Sequence, residues 1–256
     1  MSLISTFLAD VTTELDVGPM AICASSLGGL FSGRFAADEP NSVSRLVVLG
    51  MPGGYKRSVP LPLRMLGLPV LGGPLGRLVM LKPTRDGNRK FWGQILVAHP
   101  ELVDDSVLDA DVASQIRNKQ SQLSFIAGAL GLRGMRSELL EGSRWDVLGI
   151  PTLFIWGESD VYGSPEEGEA LIAENPSLRL VRVPDAGHLV WFDAPEIVTR
   201  EIQNFSNGGR SLQGPLVPDK CRLSLGSDLR KRHLVCPVTE LWRHIPASAA
   251  TFSPFR

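Results

Sequence analysis

Three residues carry side chains that could act together as nucleophile, base and orienting acid: Ser26, His188 and Asp160. A serine hydroxyl is a weak nucleophile near neutral pH. It needs an imidazole to take its proton, and a carboxylate to hold that imidazole in the right tautomer. Each candidate follows a run that reads as a strand. Met20-Ala21-Ile22-Cys23 leads into Ala24-Ser25-Ser26-Leu27-Gly28-Gly29 and then a helical pattern. Thr152 to Trp156 leads into Gly157-Glu158-Ser159-Asp160, and Arg179 to Val183 into Pro184-Asp185-Ala186-Gly187-His188. Ligands of open parallel sheets bind at the carboxyl ends of strands. Taken singly, such a serine caps a helix, such an aspartate makes a turn and such a histidine is structural; the three in order are a stronger signal.

The register at the serine follows from sterics. A sharp strand-to-helix turn brings the backbone close two residues before and after the nucleophile, so both positions must be small. Ser26 puts Ala24 and Gly28 there, whereas Ser25 would put Cys23 and the bulky Leu27 there. Rival partners are poorer. Glu158 lies earlier in the acid loop, Asp185 is too near His188 in sequence, and Asp193 is expected to cap the helix starting at Pro195. His99 falls in the middle of the chain, and His233 and His244 fall near its end.

The segment Ala24-Ser25-Ser26-Leu27-Gly28 resembles the Gly-x-Ser-x-Gly turn of the α/β-hydrolase family, with Ala24 for the first glycine. The order Ser, acid, His is also that family's. Gly157 to Asp160 looks like its acid loop, and Ala186-Gly187-His188 like its histidine loop. The resemblance runs from Leu3 to about Phe205. It implies a carboxylesterase-like serine hydrolase acting on a small-molecule acyl substrate, an ester or related bond, with no cofactor. The capped members it looks most like include esterases, haloperoxidase-like proteins and carbon-carbon bond hydrolases. Serine rather than aspartate at the turn speaks against haloalkane dehalogenases and epoxide hydrolases. The family's oxyanion hole implies the backbone amide of Leu27 as one donor.

These loops need a sheet to position them. Leu3, Ile4, Phe7, Leu8, Val11 and Leu15 recur at helical spacing, and Gly18-Pro19 ends that helix. Strand Met20–Cys23, helix Leu27–Ala37 and strand Ser44–Gly50 follow. The alternation resumes with strand Ile150–Gly157, helix Pro165–Asn175, strand Arg179–Val183 and helix Pro195–Phe205. Right-handed crossovers and a parallel sheet are implied. The fold class is α/β: a parallel sheet with flanking helices and a helical cap insertion. Residues 1–50 and 145–205 are expected to form the core, 51–144 the cap, and 206–256 a poorly ordered extension whose prolines interrupt every candidate element. Met65, Leu66, Leu68, Val70 and Leu71 either line an apolar pocket or pack the cap on the core.

The family's sheet has further strands before the nucleophile, and a loop after one of them supplies the second oxyanion amide. An N-terminally truncated α/β-hydrolase fold is therefore expected, with the strand before Ser26 at an open edge. Loss of one oxyanion donor lowers turnover about a hundred- to a thousandfold. The alternative to an enzyme is a catalytically incompetent remnant that binds small apolar molecules or a partner chain.

Composition narrows the partners. A net charge of −1 offers no basic field for nucleic acid. The most apolar stretch, Pro60 to Leu81, is broken by Arg64, Arg77 and prolines, so no membrane span is expected. Three cysteines fit no disulfide framework, and a cytoplasmic setting follows as the expectation. Cys221, His233, Cys236 and His244 do not have finger-like metal spacing. Gly72-Gly73-Pro74-Leu75-Gly76 lacks the Gly-Lys-Ser/Thr of a phosphate loop. No oligomeric state is specified.

Overall fold

The computed structural model describes residues 3–52, 59–68, 70, 72–79, 82–131, 133–140, 145, 148–173 and 175–206. Apart from Ser206, the expected C-terminal extension lies outside these residues, as do Cys221, His233, Cys236 and His244. The described residues fall within one compact unit, Met1–Leu212.

The first half of the core is α1 (Leu3–Glu14), β1 (Met20–Ser25), α2 (Leu27–Asp38) and β2 (Val43–Leu49). A helical insertion follows: α3 (Leu61–Leu66), α4 (Gly72–Val79), α5 (Arg85–Ile95), a single 3₁₀ turn, α6 (Asp105–Ala129) and α7 (Ser137–Leu140). The chain then returns to the sheet through β5 (Thr152–Gly157), α8 (Pro165–Ala173), β6 (Leu178–Val183), α9 (Val190–Asp193) and α10 (Pro195–Ser206). One expectation is corrected. The insertion is not free of strands, because β3 (Leu130–Gly131) and β4 (Gly134–Met135) pair antiparallel within it. Arms of two residues are too short to leave an alternating pattern in the sequence.

The main sheet has the order β1-β2-β5-β6, and every pair is parallel. β5 is buried along its whole length, which explains its unbroken apolar run. Side chains alternate between the two faces. Leu46, Val48 and Phe154 pack with Phe35, Trp145 and Leu171 on one side, while Val47, Leu49, Leu153 and Ile155 pack with Val183, Val190 and Val198 on the other. β1 lies at the sheet edge, where Ala21 and Cys23 are exposed, and Phe7, Leu15 and Val17 leave apolar surface uncovered nearby. Among the described residues, no strand pairs with the outer side of the strand before the candidate nucleophile.

Candidate active site

Ser26 occupies the single residue between β1 and α2. Its backbone is at φ 51° and ψ −120°, a left-handed conformation that is strained for any side chain with a Cβ. The parallel pairing of β1 with β2 holds it there, and the Ser26 amide donates to Leu49 O at 3.4 Å. The Ser26 side chain caps none of the α2 amides. The N–H of Leu27, first residue of α2, therefore has neither an intrahelical acceptor nor a cap at the positive end of the helix. A Cβ on Gly28 would lie 3.6 Å from the Ala24 Cβ. That is ordinary contact, so Ala24 and Gly28 leave room for about one methyl group between them.

Asp160 and His188 meet at the carboxyl ends of β5 and β6. His188 Nδ1 lies 2.8 Å from Asp160 Oδ2, and both side chains are buried. The same oxygen accepts the Met51 amide at 3.0 Å, and Oδ1 accepts the Tyr162 amide at 2.9 Å. Three donors fix the carboxylate, which in turn orients the imidazole with Nδ1 toward Oδ2 and Nε2 on the far side of the ring. The Tyr162 ring covers the imidazole at 4.4 Å between centroids. Burial, followed by the Asp160 charge, raises the Tyr162 phenol well above its ordinary range, so it stays neutral.

The rival carboxylates are engaged elsewhere. Glu158 pairs with Arg182 at 3.1 Å. Asp185 lies 2.9 Å from His99 Nε2. Asp193 was expected to cap the helix at Pro195, but its carboxylate accepts the amides of Gly187, Ala98 and His99, which ties the histidine loop to the insertion.

Ser26 and His188 border one cavity of about 260 Å³, whose walls include Val59, Leu63, Ile126 and Met135. Among the described residues no hydrogen bond joins Ser26 Oγ to His188. Such bonds are often long in unliganded sites and tighten when substrate binds. Of the apolar residues flagged in the insertion, Leu66 lines a neighbouring cavity, Met65 and Val70 are largely exposed, and Leu71 is outside the described residues. Sequence reasoning missed Tyr162, Met51 and Gly50. Tyr162 follows Asp160 by two residues, a spacing that could have marked it. The described residues contain no cluster of His, Cys, Asp and Glu suited to a metal ion, and no helix long and apolar enough to cross a membrane.

The His99–Asp185 pair joins the insertion to the core and should make stability depend on pH. The hydrogen bond to Asp185, partly opposed by desolvation, raises the imidazole above its ordinary value. A histidine raised on folding stabilises fully below its unfolded value of about 6.5, and that stability is lost as pH rises through the higher folded value. Asp185→Asn should therefore lower the urea midpoint near pH 6 and leave it close to wild type near pH 8.5. Asn tolerates the left-handed φ of 54° at this position. Equal loss at both pH values would show that the pair does not titrate.

The family model described as "Alpha/beta hydrolase family" matches residues 2–201. An uncharacterized hydrolase of Bacillus subtilis, YugF, is 27% identical over 196 residues, spanning 76% of this chain and 68% of that protein. A 2-hydroxy-6-oxononadienedioate/2-hydroxy-6-oxononatrienedioate hydrolase of Cupriavidus pinatubonensis is 24% identical over 199 residues, spanning 77% of this chain and 65% of its own length. The chain thus spans about two thirds of these relatives. A serine hydrolase from the polyaromatic hydrocarbon-degrading bacterium Cycloclasticus zankles superposes with a TM-score of 0.61 at 14% identity, covering 80% of this chain and 69% of the other. A parallel sheet whose strand ends carry Ser26, Asp160 and His188 agrees with that match along most of the chain: the protein belongs to the alpha/beta hydrolase family.

Proposed function

We propose that the protein is a serine hydrolase acting on ester-type or related acyl bonds of small molecules. Ser26 Oγ attacks the carbonyl carbon while His188 Nε2 takes its proton, and Asp160 steadies the resulting imidazolium. The Leu27 N–H donates to the oxyanion at the start of α2. Collapse expels the leaving group, which takes the proton from Nε2, and an acyl group remains on Ser26. Water, deprotonated by His188, then attacks that carbonyl and restores the serine. Residues 51–144 act as a cap, supplying Val59, Leu63 and Ile126 to the apolar wall of the cavity.

One observation carries this proposal. Ser26, in a strained backbone conformation at a helix N-terminus, borders the same apolar cavity as an imidazole whose far nitrogen is bonded to a buried carboxylate. A second reading, carbon-carbon bond hydrolysis beside a keto group, is favoured by the oxo-acid substrates in the relatives' names. It uses the same residues and differs only in the leaving group. A fluorophosphonate probe should label the wild-type chain and not Ser26→Ala. Equal labelling of both, or of neither, overturns the assignment. Turnover of a p-nitrophenyl ester, set against turnover of a 6-oxo dienoic acid, separates the two substrate classes.

A further inference from the structure

We infer that a second cavity in the insertion takes the far end of an extended substrate, and that Asp111 there recognises a hydrogen-bond-donating head, an ammonium or a hydroxyl, rather than a carboxylate. The inference rests on Ser26 being the nucleophile. The second cavity measures about 610 Å³ and adjoins the one at Ser26, with Leu63, Leu96, Phe125, Ile126 and Tyr162 bordering both. α6 runs along the pair. Asp111, Gln115 and Gln122 face the second cavity, Phe125 and Ile126 border both, and Ala129 faces Ser26. At about 1.5 Å per residue, Asp111 and Ala129 are at most about 27 Å apart along that helix, which has a kink at Asn118. Asn88, Phe91, Trp92 and Ile95 form the facing wall on one side of α5.

The hydrogen bonding of Asp111 sets the preference. Its Oδ2 accepts Asn88 Nδ2 at 2.9 Å, Trp92 Nε1 at 2.9 Å and Gln115 Nε2 at 3.2 Å. All three donors are neutral side chains, so none of them brings a formal positive charge to the carboxylate. Asn88 and Trp92 are buried, which fixes the orientation of the group. Among the described residues no donor reaches Oδ1 and no cation pairs with Asp111. Its neighbours on α6 differ: Asp105 and Asp109 pair with Arg85, and Asp105 also with Arg89. Lys82 borders the same cavity but is exposed, so water and salt screen its charge. A carboxylate held by neutral donors in a largely apolar cavity still lacks a counter-charge. An incoming N–H or O–H completes it, whereas an incoming carboxylate meets like charge. Relatives named for dioate substrates bind molecules with two carboxylates; this cavity selects against that second carboxylate.

The test has two arms on the full-length chain. In the first, Ser26→Ala is titrated calorimetrically with dodecylammonium, dodecanol and dodecanoate, and again with Asp111→Asn added. The ammonium or the alcohol should bind at least tenfold more tightly than the carboxylate, and Asp111→Asn should reduce that preference at least fivefold. Dodecanoate binding as tightly as either, or a preference unchanged by Asp111→Asn, overturns the inference. The ammonium and alcohol arms separate the two heads. In the second arm, kcat/KM of wild type and Asp111→Asn is compared for esters of ω-amino acids of graded length. The loss in Asp111→Asn should grow as the chain lengthens, and an equal loss at every length overturns the inference. Absence of all ester turnover, with the calorimetric preference intact, would reject the hydrolase proposal and leave the binding site standing.

Discussion

Asp160→Asn should lower kcat on the order of ten-thousandfold. In the folded chain Asp160 Oδ2 is 2.8 Å from His188 Nδ1. An asparagine that presents its NH₂ there forces Nδ1 to become the acceptor, which puts the proton on Nε2 and removes the base that Ser26 needs. The opposite amide orientation keeps Nδ1–H but turns NH₂ toward the Tyr162 amide, which Oδ1 now accepts at 2.9 Å. The NH₂ faces the Met51 amide in the first orientation and the Tyr162 amide in the second, so a stability loss of about 1–3 kcal/mol should accompany the kinetic one. Stopped-flow turnover with a chromogenic ester, alongside urea unfolding, separates the two effects. Glu158→Gln should leave kcat within about threefold of wild type, because its surface pairing with Arg182 contributes little. A folded Asp160→Asn chain with near-normal kcat, or a large loss in Glu158→Gln, would assign the orienting role to another acid.

Much of this site was legible because its parts are local. A strand, a sharp turn and a helix leave small residues at fixed offsets around Ser26, and each apolar run in the core ends where a loop must begin. Parallel alternation further required that all three loops emerge at one sheet edge. The elements of the core fall within about three residues of the expected bounds for that reason. What stayed hidden depends on contacts between distant segments. No local pattern around Met51 signals that its amide would reach Asp160. Nor did the sequence show that Asp193 would tie three amides together, since an aspartate two residues before Pro195 reads as a helix cap. In the insertion, the apolar residues from Met65 to Leu71 read either as a pocket wall or as packing against the core, and it is Leu63 and the far end of α6 that line the cavity at Ser26. Periodicity identifies an apolar face but not what it faces. Asp111 was invisible for the same reason, because its three donors come from two helices.

Gly50→Ala should both destabilise the protein and impair the site without altering any catalytic side chain. Gly50 directly follows the β2 strand at φ 71°, and its amide donates to Ile155 O at 2.9 Å, so its conformation is fixed by the sheet. An alanine there would incur about 1–2 kcal/mol for the left-handed backbone alone. Its Cβ would also collide with His188 O and lie 3.2 Å from His188 Nδ1. The first contact is with backbone, which cannot swing aside as a side chain would. The histidine loop is also pinned: Ser159 N donates to Ala186 O at 2.9 Å, Leu189 N to Leu96 O at 2.7 Å and Gly187 N to Asp193 at 2.8 Å. Either those bonds stretch or the β2 end moves, and both displace His188 from Asp160. A total loss of about 3 kcal/mol is expected, with kcat of the folded fraction down about a hundredfold, the usual effect of a displacement near 1 Å. Gly18→Ala is the control, because nothing lies within 4 Å of its Cβ position and no positive φ is required there. Chemical denaturation with active-site titration of both variants distinguishes fewer folded molecules from slower ones. Wild-type stability and turnover in Gly50→Ala would mean that the close approach of β2 to the histidine loop does not hold His188 in place.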